Sequence, residues 1–150
     1  MTLYDELRSV LNALDQARVD YALVGGMAVA VWGAPRATRD IDLLVRSEDL
    51  ATAMSAVRER GFTLAALPFE FKDGTTVQRV NRVDEAGNLM TVDFMLVDRN
   101  LESAWASRTR VPFADGEVAV VSREALIAMK AQAARAQDLA DIQNLKEGDR

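Results

Sequence analysis

The sequence predicts an α/β (α+β) fold, a sheet flanked by helices and closed by a short C-terminal helical pair. Three observations carry this. Leu3, Leu7, Val10, Leu11 and Leu14 recur at helical spacing. A short apolar run, Tyr21 to Val24, leads through Gly25-Gly26 into a second apolar segment. Several runs rich in β-branched and aromatic residues are separated by turn-forming residues.

Taken in order, residues Leu3 to Ala17 read as an amphipathic helix packed on the core, and Tyr21 to Val24 as a buried strand. Gly25-Gly26 reads as a tight turn, with a short helix from Met27 to Trp32 ended near Gly33 and Pro35. Strand, glycine turn and helix in succession favour phosphate binding. Arg39 to Val45 forms the next strand. Ser47, Glu48 and Asp49 open a helix with Leu50, Met54 and Val57 on one face and Gly61 as its stop. Phe62 to Phe71, Thr75 to Val83 and Leu89 to Val97 read as three strands, the last two joined by a turn at Glu85 to Asn88. A short helix over Asn100 to Arg108 and a strand over Glu117 to Val121 follow. Ser122 then caps a helix from Arg123 to about Ala133, and a second helix runs from about Ala136 to Lys146.

The 150 residues suffice for one domain with a real core, divided here as a core of residues 1–121 and a C-terminal helical segment, 122–150. Hydrophobic residues at 49% and charged residues at 27% are ordinary globular values, so the chain is expected to fold. A formal charge of -5 makes the whole molecule a poor electrostatic attractor of nucleic acid, and an RNA partner needs a local basic patch. Arginines gather at Arg36, Arg39 and Arg46, at Arg79 and Arg82, and at Arg108 and Arg110, either as such patches or as solvated faces. The absence of cysteine and histidine excludes disulfides, zinc-thiolate sites and an imidazole base. Chemistry therefore falls to carboxylates, hydroxyls and cations. The longest nearly apolar stretch, Tyr21 to Pro35, is glycine-interrupted and shorter than the roughly 20 residues that span a bilayer. With an acidic start at Asp5 and Glu6 in place of a signal peptide, no membrane partner and a cytoplasmic location are expected.

The most informative local feature is Asp40-Ile41-Asp42 within an otherwise apolar strand. Alternation sends Asp40, Asp42 and Leu44 to one face and Ile41, Leu43 and Val45 to the other. Carboxylates roughly 6.6 Å apart repel by about 2.5 kcal/mol at an effective dielectric near 20, so a positive partner is expected. A divalent cation is one solution. A solvated face, or pairing with Arg36, Arg39 or Arg46, is the other.

Asp93 is a third charge, in the middle of an interior strand beside Thr91 and Met95 and opposite in direction to Val92, Phe94 and Leu96. A carboxylate there requires a metal or an arginine partner. Three aspartates on two strands match the needs of a two-metal phosphoryl-transfer site. In that reading Asp40 and Asp42 bridge both ions, and Asp93 binds the first and accepts the acceptor's proton.

The stretch YALVGGMAVAVWGAPRATRDIDLLV, Tyr21 to Val45, resembles the nucleotidyltransferase superfamily whose fold is shared with DNA polymerase beta. Gly25-Gly26 and Asp40-Ile41-Asp42 stand thirteen residues apart, and TVDFM around Asp93 matches the third-carboxylate strand. Within the superfamily, APRATRDIDLLV is similar to abortive-infection nucleotidyltransferase toxins, and short lincosamide nucleotidyltransferases have a comparable layout. The resemblance implies a nucleotidyltransferase fold with a mixed central sheet, and transfer of a nucleoside monophosphate from a nucleoside triphosphate to a hydroxyl. It implies two Mg2+ ions, with Mn2+ as a substitute, held by Asp40, Asp42 and Asp93. Gly25, Gly26, Arg36, Arg39, Lys130, Asp138 and Asp141 become candidate nucleotide-binding residues, and Arg135 joins the polar set of the C-terminal segment. The acceptor is an RNA end or a small hydroxylated molecule. A catalytically degenerate nucleotide-binding protein, or a cognate protein partner in a toxin-antitoxin pair, is the alternative. A dinucleotide fingerprint fails for lack of a third glycine, no Gly-Lys-Ser or Gly-Lys-Thr occurs, and Trp32 and Trp105 read as core or interface aromatics.

Overall fold

A computed structural model describes residues 2–33, 39–71, 73–133 and 136–147, with the side chains of 132–140 outside that description. Arg36, Arg135 and the side chain of Asp138 therefore lie outside the described residues.

Helix α1 (Leu3–Gln16) begins with a reciprocal cap in which the Thr2 hydroxyl accepts from the Asp5 amide and the Asp5 carboxylate accepts from the Thr2 amide. Its inward stripe is Leu7, Val10, Leu11 and Leu14, as the spacing predicts. β1 (Ala22–Val24) passes directly into α2 (Gly25–Val31), so Gly25 and Gly26 are the first residues of the helix rather than a separate turn. β2 (Asp40–Val45) follows, and α3 (Leu50–Arg58) is entered through a 3-10 turn, Ser47–Asp49. The Ser47 hydroxyl faces Glu48 at 3.4 Å rather than capping the helix.

The expected strand from Phe62 to Phe71 is corrected by the structure to two short ones, β3 (Leu64–Ala65) and β4 (Phe69–Glu70). Pro68, which has no amide to donate, separates them. β5 (Thr76–Val83) and β6 (Leu89–Leu96) form the expected hairpin, its turn held by Asp84, whose side chain accepts from the amides of Ala86 and Asn88. After α4 (Glu102–Ala106) comes an unanticipated strand, β7 (Thr109–Phe113), paired with β8 (Gly116–Val120). Their connection is Ala114-Asp115 with both φ positive, the backbone of a tight primed hairpin turn without its usual leading Asn or Gly. Pro112 is tolerated because β7 lies at the edge of the sheet. Helices α5 (Arg123–Ala133) and α6 (Ala136–Glu147) pack on each other, with the Ser122 hydroxyl accepting from the Ala125 amide at 3.0 Å.

Among the described residues the strands form one mixed sheet in the order β3-β5-β6-β2-β1-β8-β7, with β4 also on β5. β2 runs parallel to β6 and antiparallel to β1. Ile41, Leu43, Val80, Val92 and Phe94 are fully or almost fully buried on one face. α1 lies on that side, because Arg82, which alternates with Arg79 on β5, pairs there with Glu6. Gln78 is the buried polar exception on this face, its amide donating to the Ala66 and Arg79 carbonyls, and the aspartates project from the opposite face.

Candidate active site

The parallel register of β2 and β6 places Asp42 beside Asp93 and Asp40 beside Thr91. Directly paired residues project to the same face, so the three predicted aspartates share one end of one face of the sheet. Asp93 is buried, and Asp40 and Asp42 are half-buried.

Gly25 closes the site on the β1 side. It has φ +71, and a Cβ added there would lie 2.1 Å from Asp42 Oδ2. The residue is glycine both for its conformation and because backbone and carboxylate pass too close for a side chain. Gly26 is buried in the same helix.

Burial, reinforced by the Asp93 and Asp40 charges, pushes the Asp42 carboxyl up from 3.8 to about 7, against the opposing pull of Lys130 and Arg79. Negative charge is thus in excess at Asp42. On β5 the Arg79 guanidinium grips Asp93 with two bonds, Nε to Oδ1 at 2.8 Å and a terminal nitrogen to Oδ2 at 2.9 Å. The arginine partner foreseen as an alternative for Asp93 is therefore present. To ligate a metal or accept a proton, Asp93 must share its oxygens with Arg79 or release it. Arg79 was visible in the sequence only as one of a pair of arginines. Counting back from the Glu85–Asn88 turn would have found it, since Val83 opposite Leu89 puts Asn81 opposite Thr91 and Arg79 opposite Asp93.

Lys130 on α5 and Asp141 on α6 are buried and joined at 2.9 Å, and the Lys130 charge bears on Asp42. These C-terminal residues therefore belong to the electrostatics of the site. Arg39 is exposed just before β2 and is not drawn into the cluster. Trp105 is buried with Arg108 over its ring, and the Trp32 indole donates to the Val121 carbonyl, consistent with packing roles.

Among the described residues no three acidic groups close into a ready-made metal cage. The residues nevertheless suit a hard divalent cation, because they offer oxygen donors and a negative charge at Asp42 that Lys130 and Arg79 offset only in part.

This arrangement is a nucleotidyltransferase fold. The chain is similar to the lincosamide antibiotic adenylyltransferase LnuA, solved with lincomycin bound, at TM-score 0.64 and 18% identity over 95% of each chain. It is likewise similar to ANT(2'')-Ia in complex with adenylyl-2''-tobramycin, at TM-score 0.65 and 17% identity over 97% of this chain and 88% of that one. JHP933 from Helicobacter pylori aligns at TM-score 0.61 and 17% identity over 94% of this chain and 63% of its own length. A search of curated proteins finds no match. The model of the nucleotidyl transferase AbiEii toxin family, type IV toxin-antitoxin system, matches residues 9–149, and the chain belongs to that family. Among the described residues no helix is long and apolar enough to cross a membrane.

Proposed function

We propose that this chain moves a nucleoside monophosphate from a nucleoside triphosphate to a hydroxyl group, using divalent metal held by Asp40, Asp42 and Asp93. The observation that carries the reading is the juxtaposition of Asp42 with Asp93 on β2 and β6 beneath the close approach of Gly25.

The acceptor oxygen bonds to the α-phosphorus, the bond from that phosphorus to the bridging oxygen breaks, and pyrophosphate leaves with the electron pair. The hydroxyl proton passes to a carboxylate of the cluster. Magnesium, two ions in the full form of the proposal, with manganese as a substitute, supplies charge neutralisation for the triphosphate and activation of the hydroxyl. Asp42 offers the least compensated carboxylate. Without a side chain at Gly25, the start of α2 comes up against the Asp42 carboxylate. Lys130, braced by Asp141, offsets part of the accumulated negative charge. Most of the acceleration in such a site comes from positioning and electrostatic stabilisation, which the absence of histidine does not impair.

The test is transfer of label from each of the four α-labelled ribonucleoside triphosphates to RNA ends and to small hydroxylated compounds, with magnesium and then with a chelator. Metal-dependent transfer by the wild type, absent in Asp42→Asn, is expected. Equal transfer by the variant contradicts the assignment.

A further inference from the structure

We infer that the sheet surface running from Asp93 to the β3/β4 edge is the acceptor subsite, and that it takes a small amphiphilic alcohol whose apolar body lies on the sheet. The inference rests on the proposed transfer reaction and specifies its acceptor.

The register supports it. Val83 pairs with Leu89, Asn81 with Leu64 and with Thr91, Arg79 with Asp93, and Val77 with Phe69. Paired residues share a face, so Leu64, Phe69, Val83 and Leu89 lie on the same face as Asp40, Asp42 and Asp93. Phe71 joins them through an edge-to-face contact with Phe69 at 5.6 Å. These five side chains are 37% to 53% exposed around the buried Val77 and Thr91 of the same face, while the opposite face of β5 and β6 carries the buried Val80, Val92 and Phe94. Arg79 forms the floor between the apolar ledge and the carboxylates, its guanidinium 5.8 Å from the Phe69 ring while still bonded to Asp93. Two strand spacings, about 10 Å, separate the β6 and β3/β4 positions. A molecule of that length reaches the carboxylates with a hydroxyl while resting its body on the ledge.

Gly25 lies against Asp42 on the β1 side, whereas Arg79, which covers Asp93 from β5, has a side chain 41% exposed, so the solvent-facing side of the cluster is the β5 side. An RNA strand is disfavoured there, because within strands β3 to β6 the basic residues are Arg79, which pairs with Asp93, and Arg82, which points to the other face and pairs with Glu6. A second copy of the chain seated on the ledge would cover the carboxylates that the reaction must reach.

The experiment compares hexyl β-D-glucoside with methyl β-D-glucoside, which present the same hydroxyls with and without an apolar tail. Binding to the full chain is followed by NMR titration, beside a Leu64→Ser, Phe69→Ser variant. The hexyl compound is expected to bind at least about tenfold more tightly than the methyl one, and the variant to lose that preference. Nucleotide binding, read by thermal shift with magnesium and each ribonucleoside triphosphate, is expected to be equal in variant and wild type. Intact nucleotide binding without discrimination between the glucosides overturns the ledge alone. Displacement of the hexyl compound by a short single-stranded RNA, or a wild-type dimer in sedimentation that the variant dissolves, also overturns it. Absence of metal-dependent nucleotide binding in the wild type removes the transfer reading and the ledge with it.

Discussion

Arg79 and Arg82 stand three residues apart on one strand, point to opposite faces of the sheet, and each holds a buried carboxylate. Arg82 joins Glu6 of α1 and lies over the Phe62 ring at 5.0 Å, tying sheet to helix. Arg79 joins Asp93 at an open end of the other face. Their exposures separate the two. The Arg82 and Glu6 side chains are 23% and 8% exposed, while Arg79 is 41% exposed over a 10% exposed Asp93. One cation is enclosed and has a single task. The other can be hydrated and exchanged for a competing cation. A charge that merely staples the fold is sealed in, and a charge that shares its carboxylate with a ligand is left within reach of water.

Asp42→Asn gives the largest expected effect, a fall in transfer of about a thousandfold with the fold intact, measured as labelled product. The same residue governs the next effect. Its carboxyl titrates near 7 in the folded chain and 3.8 is its ordinary value, so the folded state binds the proton more tightly than the unfolded one. The stability that this proton contributes is complete below about pH 4 and is lost as pH rises through about 7, a decline on the order of a few kcal/mol. In chelator, wild-type thermal unfolding is expected to fall over that window. Asp42→Asn should lack that part of the decline and be the more stable protein at pH 8.

Arg82→Ala should then cost about 3 kcal/mol in denaturant unfolding, because Glu6 is stranded, and magnesium should not recover it. The double change Glu6→Leu, Arg82→Met should stay within about 1.5 kcal/mol of wild type, since the enclosed pair is replaced by apolar packing. Arg79→Ala should be the mildest, about 1 to 2 kcal/mol without metal, because water reaches the vacated position. Magnesium should restore it. Rescue of both arginine variants, or of neither, would erase the distinction between the two pairs.

Much of this was legible in the sequence. The Asp40-Asp42 alternation, Asp93 on its strand, and the C-terminal helix pair follow from periodicity and capping alone. What escaped was set by pairing rather than by local pattern. Arg79 acquires its role from the register of β5 against β6, and β7 from a turn centred on Ala114-Asp115, one residue ahead of where the Asp115-Gly116 pair would put it. The stretch from Phe62 to Phe71 is rich in strand-forming residues, yet Pro68 interrupts it and, beyond the buried Phe62, its apolar side chains stay exposed. A run that looks like core from composition is here an open ledge beside the aspartates. Lys130 and Asp141 were named by resemblance, and their mutual contact depends on how α5 and α6 pack, which sequence spacing does not determine.

The most direct test of the central claim is a magnesium titration of the chain at pH 8, followed by thermal unfolding with and without a ribonucleoside triphosphate, beside Asp42→Asn. Magnesium is expected to raise the wild-type midpoint, nucleotide to raise it further only with the metal present, and the variant to show neither response. A wild type indifferent to magnesium, or a variant responding equally, would contradict a metal-dependent transfer site at these aspartates.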